Sequence, residues 1–439
     1  MFVNKTAFKI KSTTIIANLS YIFSRLLTAL SRRLRGEDMV DVHIRRLRNL
    51  GPLDETNLAT GKDILLLCPA YPGGSRTYGG EFIQRRVEGY LRAGLSVSVI
   101  EIDLSRSETQ EDDINDVSVL RCNLQSAADY IALENPKQLV AHQVKKPIWN
   151  ILKPWLDHVN ITIWIHGAEA RHWRELESSY SSQEISNLKP QLDRQTQDRK
   201  ETMTEILNTA QVKKIIVSQF MAKTVQAFTK ANMLNVEVIH NPILQRDFPY
   251  VEKSNEQRYN ILWVRSFNSF NYSNDLCRDV ILLLSKREFF EKLKFTIQGD
   301  GRYFDEITTP LKKFPNVDIR KGFVSTSGLR VLHRQHGILL VPSRWESQGL
   351  TCGEGMASGL VPVTTDVAAL PEFVDETCGF LCPKDDASAL AYAIETLVAD
   401  SELFLEKSRN AANRAATQCG EEATLVREIN WLREVMNKS

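Results

Sequence analysis

Residues 341–372 read VPSRWESQGLTCGEGMASGLVPVTTDVAALPE. An apolar run ends at Val341, a glycine-containing turn follows at Ser347 to Leu350, a helix opens near Thr351, and the next apolar run starts at Val361. Strand, turn, helix and strand in that order make one crossover unit of a parallel sheet. The N–H groups of the turn and the dipole of the helix point at whatever anion enters there, which suits a phosphate. Two carboxylates flank the turn, Glu346 before it and Glu354 in the first helical turn. A carboxylate beside an anion site can accept hydrogen bonds from sugar hydroxyls, as an acidic residue does from a ribose, so a nucleotide sugar is the natural ligand class. Thr351 and Glu354 also spell a capping box, in which the glutamate merely returns to the helix start. Both readings of Glu354 stand at this point.

The same alternation extends outward in both directions. Ile64 to Cys68, Val97 to Ile102, Leu139 to His142, Ile161 to Ile165, Lys214 to Val217 and Val236 to Ile239 are short apolar runs separated by longer helical stretches. They are continuous in apolar residues, as parallel strands buried on both faces are. After a polar break the pattern restarts at Ile261 to Val264, Lys294 to Ile297, Val317 to Ile319, Ile338 to Val341, Val361 to Thr364 and Gly379 to Leu381. The expected fold is α/β, two Rossmann-like doubly wound domains facing a central cleft. The expected boundaries are an extension at 1–60, domains at 61–245 and 258–418 joined by a linker at 246–257, and a helix at 419–439 that crosses back onto the first domain. Residues 171–200, rich in Glu, Gln, Ser and Arg, read as an exposed helical insertion.

At 439 residues, with 43% hydrophobic and 25% charged side chains, the chain has material for two cores and is not disordered as a whole. Its 55 basic and 54 acidic residues leave a formal charge of +1, so no global field draws it to nucleic acid. The seven cysteines are scattered, and Cys378 and Cys382 have neither zinc nor redox spacing, which suits reduced thiols and no metal site. Residues 1–36 carry Lys5, Lys9, Lys11, Arg25, Arg32, Arg33 and Arg35 without one acidic residue, and their leucines and isoleucines recur at helical spacing. Such a helix can lie on an anionic membrane surface, or pack its apolar face on the protein or a second subunit.

The motif Pro342, Ser343, Glu346, Glu354, then Ala357, Ser358, Gly359, Pro362 and Val363, with Pro371-Glu372 after it, resembles that of GT-B glycosyltransferases of the retaining family 4, group 1 kind. The likeness runs over roughly residues 63–435. It implies that Glu354 holds the ribose of a donor nucleotide, that Glu346 contacts the transferred sugar, and that the amides of Gly349 and Leu350 meet the diphosphate. Arg265, after the first strand of the second half, corresponds to the family's phosphate-binding arginine. Gly299, in Gln298-Gly299-Asp300-Gly301, and Gly322, Phe323 and Val324 fall in two later strand-end loops, the second of which flanks the base. The resemblance also implies that in the first half the loop Tyr78-Gly79-Gly80-Glu81 closes on the diphosphate, with Gly80 as its contact. His166, at the end of the run Ile161 to Ile165, is placed near the transferred sugar and acceptor, and an imidazole there can accept a hydroxyl proton. His142 and Glu169 are further candidates.

One position departs from the pattern. The family has a diphosphate-gripping lysine about five positions after the arginine, whereas this chain reads Ser266-Phe267-Asn268-Ser269-Phe270-Asn271-Tyr272. Lys321, Arg302 and Arg344 are candidates to replace it. The resemblance implies a metal-independent, cofactor-free transfer from a nucleotide diphosphate sugar to a saccharide or lipid-linked hydroxyl, with catalytic roles for His166, Glu346 and Arg265. The reduced thiols suit a cytoplasmic place, and the basic segment 1–36 suits a peripheral one on the inner face of the cell membrane. Another enzyme on the same fold, such as a sugar-nucleotide epimerase or a glycogen-type synthase, and a non-catalytic nucleotide-sugar-binding scaffold are the alternatives.

Overall fold

The structure, a computed structural model, describes residues 62–73, 79–134, 136–180 and 182–436. The extension 1–60 with its basic segment 1–36, and residues 74–78 of the first glycine loop, lie outside the described residues. Residues 62–127 and 136–436 belong to one compact unit.

Two sheets carry the fold. The first holds β1 (Ile64–Cys68), β2 (Val97–Ile102), β3 (Gln110–Ile114), β4 (Val117–Cys122), β5 (Gln138–His142), β6 (Asn160–Ile165), β7 (Val212–Ile216) and β8 (Val236–Val238) in the order β3-β4-β2-β1-β5-β6-β7-β8. The second holds β9 (Asn260–Ser266), β10 (Lys294–Asp300), β11 (Val317–Lys321), β12 (Ile338–Leu340), β13 (Val361–Thr365) and β14 (Phe380–Cys382) in the order β11-β10-β9-β12-β13-β14, all parallel. Ile261 and Trp263 enter one core layer and Leu262 the other, because successive side chains of a strand point to opposite faces. Layers on both faces are why these strands are apolar throughout.

The apolar-run reading does not contain the edge hairpin β3–β4. Its outer strand, antiparallel to β4, is polar and largely exposed, and its turn residues Asn115 and Asp116 take φ of 52° and 66°. Asn and Asp tolerate that left-handed turn.

Strand order reverses between β1 and β5 in the first sheet and between β9 and β12 in the second. Open α/β sheets bind ligands beyond the carboxyl ends of the strands at such points. The helices that matter for the site are α1 (Glu81–Arg92), α2 (Ser182–Asn208), α3 (Gln219–Thr229) and α4 (Leu350–Ala357), followed by α5 (Ser401–Cys419) and α6 (Arg427–Met436).

Leu425, Ile429 and Leu432, in and just before α6, pack in the core of the first sheet with Ile64, Val97 and Trp164. The chain thus returns from the second domain to the first. A fully buried ion pair fixes the return, with Arg86 Nε of α1 3.3 Å from Glu428 of α6, and the Tyr90 hydroxyl donates to the same carboxylate. Burial pushes Glu428 up to about 7 against the pull of Arg86. Between its ordinary value of 4.5 and about 7 the folded chain keeps a proton that the unfolded chain has released, so this group makes stability fall as pH rises through that window. Over that window the urea midpoint should therefore fall less with rising pH, or rise more, for Glu428→Gln than for the wild type. Equal slopes would refute the raised Glu428.

Candidate functional site

At the switch point of the second sheet, β9 ends on Arg265 and β12 is followed by the turn that carries Ser343 and Glu346. Arg265 Nη2 donates to Ser343 Oγ at 2.6 Å and to Glu346 Oε1 at 2.7 Å, and Nη1 donates to Thr351 Oγ1 at 3.3 Å. The Ser343 hydroxyl also donates to Glu346 Oε1, at 3.1 Å. Tyr272 lies against the guanidinium, 4.7 Å from Cζ to the ring centroid. Burial pulls Arg265 down, but Glu346 and the neighbouring groups outweigh it, so the arginine titrates above its ordinary value. It is a permanent cation whose Nε, buried, has no hydrogen-bond partner among the described residues.

Helix α4 starts beside it. Gly349 is the N-cap, with φ of 85°, and a Cβ on it would lie 2.7 Å from Leu370 Cδ2, so a glycine is needed here both for the left-handed turn and for the space. The first amides of α4, beginning with Leu350, have no partner one turn earlier, and the Thr351 hydroxyl of that first turn accepts from Arg265.

The capping-box reading of Glu354 is corrected. The helix begins at Leu350 with Gly349 as its N-cap and no side-chain cap, so Thr351 already lies inside the first turn and is not the N-cap. The Glu354 carboxylate instead meets Arg85 Nη1 of α1 at 2.8 Å, a pair that joins the two domains with side chains only 12% and 9% exposed. Burial raises its pKa, and Arg85 works against that rise.

In the first sheet, His142 ends β5 and His166 follows β6. The two rings hydrogen-bond, Nδ1 of His142 to Nε2 of His166 at 3.0 Å, and His166 packs on Phe82 at 4.7 Å. Burial, helped by Arg86, holds His166 well below its ordinary value, so it is a neutral imidazole at pH 7. With Nε2 engaged by His142, Nδ1 is the ring nitrogen left for another group. The two oxygens of Glu169 accept from the amides of His166 at 2.6 Å and Gly167 at 3.1 Å, which fixes the turn that presents His166. Gly80 is the N-cap of α1 at φ of 91°, and a Cβ there would lie 2.6 Å from the Ala70 carbonyl oxygen. Only glycine fits so close to the end of β1. Arg121 holds the start of this loop by donating to the carbonyls of Tyr71 at 3.2 Å and Pro72 at 3.1 Å.

Gly299 pairs with Arg265 in the β9–β10 register, and a Cβ on it would strike the Arg265 carbonyl at 2.0 Å. It shapes the arginine's strand. Gly322, at φ of 126°, faces open space, its amide tied to the Gly299 carbonyl at 2.8 Å. Phe323, next to it, is 43% exposed, and Val324 packs against the core beneath α4.

At position 270, where the family lysine would stand, Phe270 packs on Tyr303 at 4.4 Å. The three cations considered as replacements are each committed elsewhere. Arg344 pairs with Asp275 and Asp385, both at 2.8 Å, Arg302 with Glu184 at 3.0 Å, and Lys321 with Asp305 at 2.5 Å. The 171–200 segment also needs correction at its start. Helix α2 is largely exposed, but Arg171 and Trp173 are buried, with Arg171 stacked on Trp345 of the second domain, Cζ 3.5 Å from the ring centroid. Arg171 and Arg85 belong to the site, and sequence reading assigned them no role there.

The domains touch directly around this cluster. The Ser218 hydroxyl donates to the Ser347 carbonyl at 2.7 Å, and the Glu372 carboxylate accepts from the amides of Gln219 at 2.8 Å and Phe220 at 3.0 Å, at the start of α3.

Comparison with known proteins matches residues 258–400 to the family described as Glycosyl transferases group 1. An uncharacterized 41.2 kDa protein in the cps region of Klebsiella pneumoniae is 28% identical over 170 residues, 37% of this chain and 45% of that one. The lipopolysaccharide core biosynthesis mannosyltransferase LpsB of Rhizobium meliloti is 33% identical over 87 residues, 19% of this chain and 25% of that one. The match thus spans less than half the length of either curated relative. Among solved structures, the sucrose-phosphate synthase of Thermosynechococcus elongatus superposes with a TM-score of 0.69 at 15% identity, covering 86% of this chain and all of that one. The fold is GT-B.

Proposed function

We propose that this protein is a glycosyltransferase that moves a sugar from a nucleotide diphosphate sugar to an acceptor hydroxyl, in the synthesis of a surface polysaccharide or glycolipid. The observation that carries the reading is the convergence of Arg265, Glu346, the glycine-led start of α4 and partly buried Glu354 at the switch point of the second sheet. The group 1 match over the same domain supports it. In the transfer, the bond from the anomeric carbon to the diphosphate oxygen breaks as the bond to the acceptor oxygen forms, the acceptor proton passes to the departing diphosphate oxygen, and nucleoside diphosphate leaves. Arg265 and the α4 amides offset the charge that develops on the diphosphate. Glu354 accepts from the ribose hydroxyls, Phe323 flanks the base, Glu346 holds the transferred sugar, and neutral His166 faces the reacting end. No metal or cofactor is needed for this chemistry. Retention of the anomeric configuration rests on the resemblance to family 4, and the anomeric proton signal of the product would check it.

The test is calorimetric titration of the protein with UDP, GDP, ADP and CDP. One diphosphate is expected to bind well above the other three. A folded protein that binds none would overturn the donor-site reading.

Among the described residues no helix is long and apolar enough to cross a membrane. The charge pattern of residues 1–36 supports attachment to the inner face of the cell membrane, where a lipid-linked acceptor is presented. Removing 1–36 is expected to abolish co-sedimentation with vesicles containing anionic lipid; undiminished binding would remove the membrane reading.

A further inference from the structure

We propose that Arg171 is the second cation of the diphosphate site, reaching it from the opposite domain in place of the lysine that position 270 lacks. The proposal rests on the nucleotide-sugar reading above and names a residue for it. Arg171 is 7% exposed, yet its Nε and Nη1 have no hydrogen-bond partner among the described residues. Buried guanidinium donors left unsatisfied are costly and uncommon, and they mark a place where a ligand or water completes the structure.

The place is the right one. The face of Arg171 is stacked on Trp345, whose chain neighbour is Glu346, the carboxylate held by Arg265. Arg171 and Arg265 both act electrostatically on Glu346 and on Tyr272, so the two guanidiniums flank one small region. Arg265 brings an unpartnered Nε of its own. Glu169, Glu175 and Glu346 balance the charge of Arg171 without taking its Nε or Nη1 hydrogens. Burial pulls Arg171 down to about 10, which leaves it protonated at neutral pH. A diphosphate carries enough oxygens to satisfy orphan donors from both sides, and arginine forks suit them. The lysine of the family grips from within the second domain. An arginine on the first domain makes the same grip depend on the two domains being together.

The experiment measures the preference for nucleoside diphosphate over the matching monophosphate, by calorimetry with UDP, GDP, ADP, CDP and their monophosphates. Arg171→Met keeps an unbranched apolar chain over Trp345 and removes charge and donors. The expected result is diphosphate affinity about thirtyfold weaker with monophosphate affinity within about twofold of wild type. Arg171→Lys keeps the charge without the fork and is expected to lose about fivefold of the preference, and it carries the test if the methionine variant does not fold. An unchanged preference in a folded variant, or equal losses for mono- and diphosphate, overturns the proposal. If the wild type binds no nucleotide, the donor-site reading itself falls, and that outcome is distinct from a wild type that binds while Arg171→Met binds equally well.

Discussion

Arg265→Ala is expected to remove the calorimetric signal of the nucleoside diphosphate, weakening its binding by about a hundredfold or more. Two losses combine. The variant lacks the cation at the end of β9, and it frees Ser343, Glu346 and Thr351, which that guanidinium gathers from the β12 turn and the start of α4. Glu346 would then be a partly buried carboxylate without its nearest cation, repelling the incoming diphosphate. Sugar transfer should fall further than binding, because the charge offset at the leaving group grows as the bond breaks. Arg265→Lys should recover part of the affinity, since an ammonium keeps the charge but lacks the fork that reaches Ser343, Glu346 and Thr351 together. The thermal midpoint has to be followed alongside, as β9 is a central strand. An alanine variant that folds and binds diphosphate like the wild type would sink the assignment of this cluster as the donor site.

What the sequence made legible depends on how each feature is buried. Parallel strands such as β9 and β12 are covered on both faces, so Ile261, Leu262 and Trp263 announce themselves as one apolar run. The outer strand of the β3–β4 hairpin is half solvated and its turn is a polar Asn-Asp pair, so composition hides it. Ser343, Glu346, Gly349 and Glu354 lie within one stretch of chain, 341–372, and could be read as a unit. The residues that complete it from the other domain could not. Arg85 meets Glu354 and Arg171 meets Trp345 only when the two domains stand together, and local pattern holds no trace of such a pairing. Arg171 is also the first letter of a charged stretch, which is usually a solvated face. Its burial comes from a tryptophan far along the chain.

Glu354→Gln separates the two roles that its position in the sequence allows. Gly349 caps α4, so glutamine at 354 costs the helix no cap, and the thermal midpoint is expected to move little from that source. It does lose the ion pair to Arg85, which retains Asp247 at 3.7 Å as a second carboxylate. If Glu354 accepts from both ribose hydroxyls, losing a charged acceptor should weaken nucleotide binding by about tenfold to a hundredfold. The loss should be equal for mono- and diphosphate, since it lies at the sugar end, and this sets it apart from the changes at Arg171 and Arg265. The pH dependence has a definite sign. Burial raises the Glu354 pKa, so acidification protonates it sooner than an exposed glutamate and removes the acceptor. Wild-type affinity should therefore fall as pH drops toward that raised value, while the glutamine variant, with nothing to titrate there, should show a flatter profile. Unchanged affinity together with a lowered thermal midpoint would return Glu354 to a structural role, as a strut between the two domains through Arg85.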